Sequence, residues 1–326
     1  MDTRHMIESS FYIAAGVLLL ALNAPMGMVI VASKQLRITF GVLGTLFAAG
    51  AATGLCAVAK GISWLRVPDA MSLRNTTVGA LFCTTKPAVL LDLFSFQSIA
   101  LLMAVNSFDR LLVVYLPIEY FKRAKRTVAL EVSLAILALF LVQLFTMIDV
   151  IVEDRKVTTV TCRLSEFLPP LAYSANIYFR LFNSLASIIL MAFVLLKLGY
   201  HVGKSVDAKK DRTVQRYVTN QNNFTKAMLF SCGFTLLLDT IPTCTLVYAY
   251  LTALADYNEL VLCARIACMF NAVNMVIVVT CRPTEIRERL LDYLRKWMLT
   301  RQRVVVVHAR RAALSTRNFA TVISSA

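Results

Sequence analysis

The chain has 326 residues, 58% of them hydrophobic and only 16% charged, with a formal net charge of +15 and a mean hydropathy of +0.67. A soluble domain averages about 45–50% apolar and about 25% charged, and a globule of this size has no interior large enough to hide the difference. Composition thus argues against intrinsic disorder, a disulfide-rich secreted module and a cytosolic enzyme.

A bilayer core needs about 20 mostly apolar residues per helix, because lipid offers no partner to an open backbone. Seven stretches meet that need: 10–32, 39–60, 87–114, 127–151, 170–197, 226–252 and 261–281. The second is rich in small residues, from Gly41 and Gly44 through Gly50 to Gly54, which suits close helix packing more than lipid contact. Pro25 and Pro242 fall inside spans one and six, where each would bend a helix that its neighbours support. The expected architecture is an all-α membrane protein. An extracellular N-terminus over 1–9 precedes a seven-helix bundle over 10–281, an amphipathic membrane-surface helix over 282–300 and a flexible cytoplasmic tail over 301–326.

Lys and Arg in the short loops set orientation. With the N-terminus outside, the cytoplasmic segments carry 24 basic residues and the outer segments 8. The bias predicts N-terminus out and C-terminus in. It also gives the positive charge a partner, acidic lipid headgroups, and removes the case for nucleic acid. In 283–299, Ile286, Leu290, Leu294 and Trp297 recur at helical spacing opposite Arg287, Arg289, Arg295 and Lys296, the pattern of a helix lying on a membrane surface.

The most informative string runs Asn106-Ser-Phe-Asp109-Arg110-Leu-Leu-Val-Val-Tyr115-Leu-Pro117-Ile-Glu-Tyr120, where span three meets the cytoplasm. Arg110 is a long, permanently charged side chain at the membrane edge. It can pair with Asp109 in a closed bundle and reach a partner's carbonyl groups when the bundle opens.

This string, with Pro117 seven residues beyond Arg110, resembles the Asp-Arg-Tyr signature of rhodopsin-like G-protein-coupled receptors, with Leu111 in place of the aromatic. Asn23 and Pro242 stand where that superfamily has its Asn and its kink proline. Asn274 matches the first residue of Asn-Pro-x-x-Tyr, and nothing after it does. Thr240 replaces the usual Trp, and span two lacks its acidic residue. With FDRLLVVYLPIEY and VTCRPTEIRERL, these losses resemble the nematode serpentine chemoreceptors, of a Srbc-like or Srsx-like kind.

The resemblance implies an external small-molecule ligand in the outer half of the bundle, a heterotrimeric G protein at the cytoplasmic face, no cofactor and no catalysis. It assigns coupling and switching to Asp109, Arg110, Pro117, Pro242 and Asn274, and implies a disulfide between Cys83 and Cys162. The other six cysteines read as buried small hydrophobes. No H-E-x-x-H or G-x-S-x-G string supports an enzyme.

Charges within spans are candidate ligand contacts by default. Asp92 lies five turns and about 27 Å outward of Arg110, the spacing at which amine receptors of the superfamily hold an ammonium. Asp239, Arg180 and Arg265 join it, with Tyr248, Asn176, Tyr178 and Tyr250 as possible lining. The plainer alternative is internal pairing of Asp92 or Asp239 with Arg180 or Arg265. Two sequons occur, at Asn75 in an outer loop and at Asn223 in an inner one, so only Asn75 is expected to carry sugar. Alternatives in function are an amine or peptide receptor of the same superfamily, or a small transporter or channel. The latter would show inverted repeats or broken helices, and the sequence displays neither.

Overall fold

The computed structural model describes residues 3–65, 78–153, 156–157, 162–204, 230–252 and 257–280, all within one compact unit, Met1–Arg282. The surface helix over 282–300, the tail over 301–326, and both sequons (Asn75 and Asn223) lie outside these residues. The described residues are almost wholly helical. In chain order they form α1 (Thr3–Ala32), α2 (Lys34–Thr39), α3 (Gly41–Leu65), β1 (Val78–Gly79), α4 (Ala80–Thr84), α5 (Pro87–Tyr115), α6 (Pro117–Glu153), β2 (Lys156–Val157), α7 (Leu164–Phe167), α8 (Pro170–Lys204), α9 (Phe230–Thr252) and α10 (Tyr257–Thr280).

Six helices are long and apolar enough to cross a membrane: α1, α3, α5, α6, α8 and α9. The seventh expected span corresponds to α10, whose apolar stretch, Leu260–Asn274, is shorter. Helices α5, α6 and α8 each open on a proline, where the missing N–H is one that a first turn leaves unpaired anyway. Several boundaries differ from the sequence expectation, among them two helix starts. Helix α1 starts at Thr3, so the segment taken as an N-terminal tail is already helical. Helix α6 starts at Pro117 rather than near 127, since Glu119 through Arg126 contains no helix breaker and continues the helix as a polar extension.

Small residues set the tightest packing. A Cβ placed on Gly54 would sit 2.7 Å from the Gly16 carbonyl oxygen, and one on Gly16 would sit 2.6 Å from the Gly54 carbonyl oxygen. Thus α1 and α3 touch backbone to backbone, as the glycine and alanine pattern of span two anticipates. Helix α5 is central, contacting α3, α6, α8 and α10. Its enclosed face is unusually polar: Asp92, Ser95, Gln97, Ser98, Asn106, Ser107 and Asp109 are all buried.

At one end of the bundle, Cys83 and Cys162 form the expected disulfide, with Cα atoms 5.5 Å apart. The two-residue strands β1 and β2 pair antiparallel beside it. Below lies a packed cluster that includes Leu93, Val150, Phe167 and Ile177. The remaining cysteines meet the expectation of burial only in part. Cys56 and Cys268 are buried and Cys232 is half-buried, but Cys244 and Cys263 are exposed on the outside of the bundle. In a membrane such positions meet lipid, an apolar surrounding that a thiol tolerates as well as it does a core. Cys281 lies outside the described residues.

Candidate functional site

Two polar layers occupy the bundle, one towards the disulfide end and one at the Arg110 end. In the first, Asp92 is 3% exposed and both of its carboxylate oxygens are taken. Lys60 Nζ donates to Oδ2 at 2.8 Å, and Arg265 Nη2 donates to Oδ1 at 2.6 Å. One carboxylate on α5 therefore clamps α3 and α10. Aromatic faces complete the cage: Lys60 Nζ lies 5.2 Å from the Tyr12 ring centre and 5.1 Å from that of Trp64. This pairing leaves Asp92 no free oxygen for a ligand ammonium in this arrangement.

Lys60 is the residue that sequence reading missed. It falls on the last position of span two, where a cation reads as the start of the outer loop. Helix α3 continues one turn further, to Leu65, and this carries Lys60 inside, where it is 8% exposed. The usable signal was Trp64 four residues on, an aromatic on the same helical face as the cation.

The second ion pair of this layer joins α8 to α9. Arg180 Nε donates to Asp239 Oδ1 at 2.8 Å, Nη2 donates to the same oxygen, and Ser184 Oγ donates to Oδ2. Arg180 Nη1 also donates to the Phe96 carbonyl on α5, with the guanidinium 4.4 Å from the Phe96 ring centre. Arg265 lies against the same ring, at 5.3 Å. Asp239 sits within a π-helical turn, Leu236–Thr240, where the Ile241 N–H donates to the Leu236 carbonyl. Pro242 follows directly. It has no N–H to continue an ordinary ladder, and the wider turn accommodates the interruption. The candidates Asp92, Arg180, Asp239 and Arg265 are thus brought together, and they pair with one another.

Tyr248 does not join them. It is 64% exposed, on the outer surface of the bundle, and Tyr178 also faces outward at 46%. Successive residues on a helix are separated by about 100°, so Tyr248 and Tyr250 cannot both face inward. Tyr250 is the half-buried one, packed against Tyr173 with ring centres 5.7 Å apart. Asn176 is buried as a structural tie: it donates to Thr146 Oγ1 at 2.9 Å and accepts from Gln97 Nε2 at 2.6 Å, joining α5, α6 and α8.

At the other end, Asp109 is 1% exposed. Arg110 Nη2 approaches Asp109 Oδ2 at 2.6 Å, and Tyr120 Oη donates to Asp109 Oδ1 at 2.5 Å. Burial, and then the hydrogen bond to Asp109, push the Tyr120 phenol above its ordinary pKa of 10.0. The Arg110 guanidinium lies 5.7 Å from the Phe40 ring centre. Glu131, on α6 and 6% exposed, lies in the field of Asp109 and Arg110, and neither of its oxygens has a hydrogen-bond donor. Nothing in the sequence distinguished it from an interfacial charge. Nearer the middle, Asn274 on α10 donates to the Ser231 carbonyl at 2.9 Å and to Thr235 Oγ1 at 3.1 Å, fastening α10 to α9 on the Arg110 side of the π-helical turn. Pro117 opens α6 directly after Leu116 and so fixes how closely Tyr120 follows Asp109.

Among the described residues, no group of three or more His, Cys, Asp or Glu could hold a metal ion. Compared with family models and with curated proteins, the chain matches none.

Proposed function

We propose that this protein is a seven-helix G-protein-coupled receptor of the plasma membrane, chemosensory in role and similar to the nematode serpentine receptors. Its N-terminus is outside and its C-terminus is cytoplasmic. Tyr257–Thr280 serves as the seventh span, around the apolar stretch Leu260–Asn274. An external small molecule binds in the outer half of the bundle and favours the open arrangement by its differential affinity for the two states. A heterotrimeric G protein then docks on the basic cytoplasmic face, in a cell whose sensory membrane, such as a cilium, carries the receptor.

The observation that carries this reading is the Asp109, Arg110 and Tyr120 cluster. A charged residue pair closes on itself at one end of the central helix, directly beside the start of the next helix. An Arg paired with a neighbouring carboxylate, itself held by the Tyr120 hydroxyl, is a candidate two-state element. Breaking the ion pair turns a long cation towards carbonyl groups of a partner, and losing the Tyr120 bond loosens the carboxylate that holds it. The disulfide at the opposite end and the π-helical turn before Pro242 add support, the first by bracing a ligand-side surface and the second by offering a pivot.

The test is Arg110→Ala, with surface expression checked in parallel. Ligand-evoked nucleotide exchange on the G protein is expected to vanish, whereas undiminished signalling or ligand-driven solute flux would overturn the reading. Glycosylation tests the orientation separately: sugar on Asn223 would reverse it.

A further inference from the structure

Among the described residues, the outer polar layer holds three cations, Lys60, Arg180 and Arg265, but two carboxylates, Asp92 and Asp239. Asp239 is matched one to one by Arg180. Asp92 is shared between Lys60 and Arg265, so that pair of cations carries one positive charge too many. In a low-dielectric interior such an excess is costly unless an anion comes to it.

Geometry shows where the anion would sit. Arg265 is 7% exposed, and its Nε has no hydrogen-bond partner. The side chain borders two voids. One lies inward, beside Asp92, Phe96 and Arg180. The other opens towards the disulfide end, bounded by Tyr12, Lys60, Trp64, Arg163, Ser165 and Arg265. Arg163 comes from the segment directly after Cys162 and is paired with Glu8 at 3.1 Å, so its charge is matched and the excess lies with Lys60 and Arg265. The outer void is small, about 20 Å³. That suits one water or a compact ionic head rather than a whole organic ligand.

We infer that the outer void beside Lys60 and Arg265 is a binding site for a small anion, either a free inorganic ion or the carboxylate head of an organic ligand. The inference deepens the receptor reading by giving the ligand site a charge sign opposite to that of an amine receptor. An anion there would accept from Arg265 Nε and share Lys60 with Asp92, neutralising the layer without breaking either existing bond. It would enter past the Arg163–Glu8 pair.

The test needs no G protein, so its failure and that of the receptor reading stay distinct. Full-length protein is purified in detergent, and its thermal midpoint is measured at constant ionic strength. Sodium chloride, acetate or butyrate replaces a bulky sulfonate buffer salt; tetramethylammonium is tested separately. The midpoint is expected to rise saturably with at least one of the small anions and not with tetramethylammonium. A rise with chloride identifies an inorganic-ion site, and a rise with the carboxylates alone identifies a ligand head. Arg265→Gln should raise the half-saturating concentration at least roughly tenfold. Lys60→Met brings the layer to neutrality while keeping the Asp92–Arg265 pair, and should abolish the anion dependence even if Arg265→Gln fails to fold. No anion effect on the unsubstituted protein, stabilisation by tetramethylammonium, or an unchanged anion response in Lys60→Met would overturn the inference.

Discussion

Tyr120 and Asp109, eleven residues apart, share a hydrogen bond of 2.5 Å that spans the break between α5 and α6. The bond ties the carboxylate that holds Arg110 to a second helix, so the closure of this end is a property of two helices rather than of one residue pair. Hydrogen bonds to a charged group contribute about 1.5–3 kcal/mol. If the protein is the receptor proposed above, Tyr120→Phe should raise basal nucleotide exchange on a G protein by roughly tenfold or more, measured against surface-expressed protein. Unchanged basal exchange would show that the hydroxyl does not bias the switch.

The same bond has a defined pH response. The folded-state pKa of the phenol is raised above its ordinary value of 10.0, so the neutral donor is the form favoured by folding. Its contribution is complete below that value and is lost as pH rises through and beyond it. On the receptor reading, the difference in basal exchange between the native protein and Tyr120→Phe should not vary with pH across the neutral range. A difference between the native protein and Tyr120→Phe that vanishes near neutrality would contradict this assignment.

Asp92→Asn removes the carboxylate that serves two cations and leaves both buried without a counter-charge. Removing one partner of a buried pair typically costs about 3–5 kcal/mol. Surface expression should collapse, and Lys60→Met in the same chain should restore part of it. A double-mutant cycle on thermal midpoints measures the coupling; strict additivity would mean that Lys60 and Asp92 do not interact.

Gly54→Ala places a methyl group 2.7 Å from the Gly16 carbonyl oxygen, a backbone atom that cannot turn aside. Helices α1 and α3 must separate, at a cost of about 1–3 kcal/mol. Gly199→Ala is the control, since nothing lies within 4 Å of a Cβ there. Detergent melting curves should fall for the first substitution and hold steady or rise for the second.

Glu131 presents the opposite case, a buried carboxyl whose oxygens lack donors. Glu131→Gln keeps the shape and supplies an N–H pair within the field of Asp109. Stabilisation of about 1–3 kcal/mol is expected, read as a higher thermal midpoint. A lower midpoint would mean that the carboxyl already has a counterpart worth more than the amide.

Hydropathy made the long helices legible because lipid demands a continuous apolar run, and the small residues of span two disclosed the α1–α3 contact. The disulfide was found from the resemblance rather than from the apolar pattern. Other features depend on information a linear pattern does not carry. Lys60 was hidden because a cation at the end of an apolar run looks like a loop residue until the helix is seen to continue past it. The start of α6 was hidden because polarity marks the membrane edge but does not end a helix. Tyr248 was misplaced because composition names the aromatic but not its angular position, which fixes whether it meets lipid or core. The choice among Asp92, Asp239, Arg180 and Arg265 as partners required the side-chain geometry, since every opposite pairing was open to the sequence.

Standing on α8, Arg180 grips the Phe96 carbonyl of α5 and the carboxylate of α9 at once. A rivet through three helices leaves little play at its own level. From Asp239 back to Phe230, α9 runs about 14 Å, and there it has Asn274 as a neutral tie to α10. If the proposed switch operates, the helix is a lever pinned near the π-helical turn, and a small rotation at the pin becomes a displacement of several ångströms at the Phe230 end. Amide hydrogens beyond the pin towards Phe230 should exchange faster than those around Asp239, and the work of switching would be concentrated in one short arm.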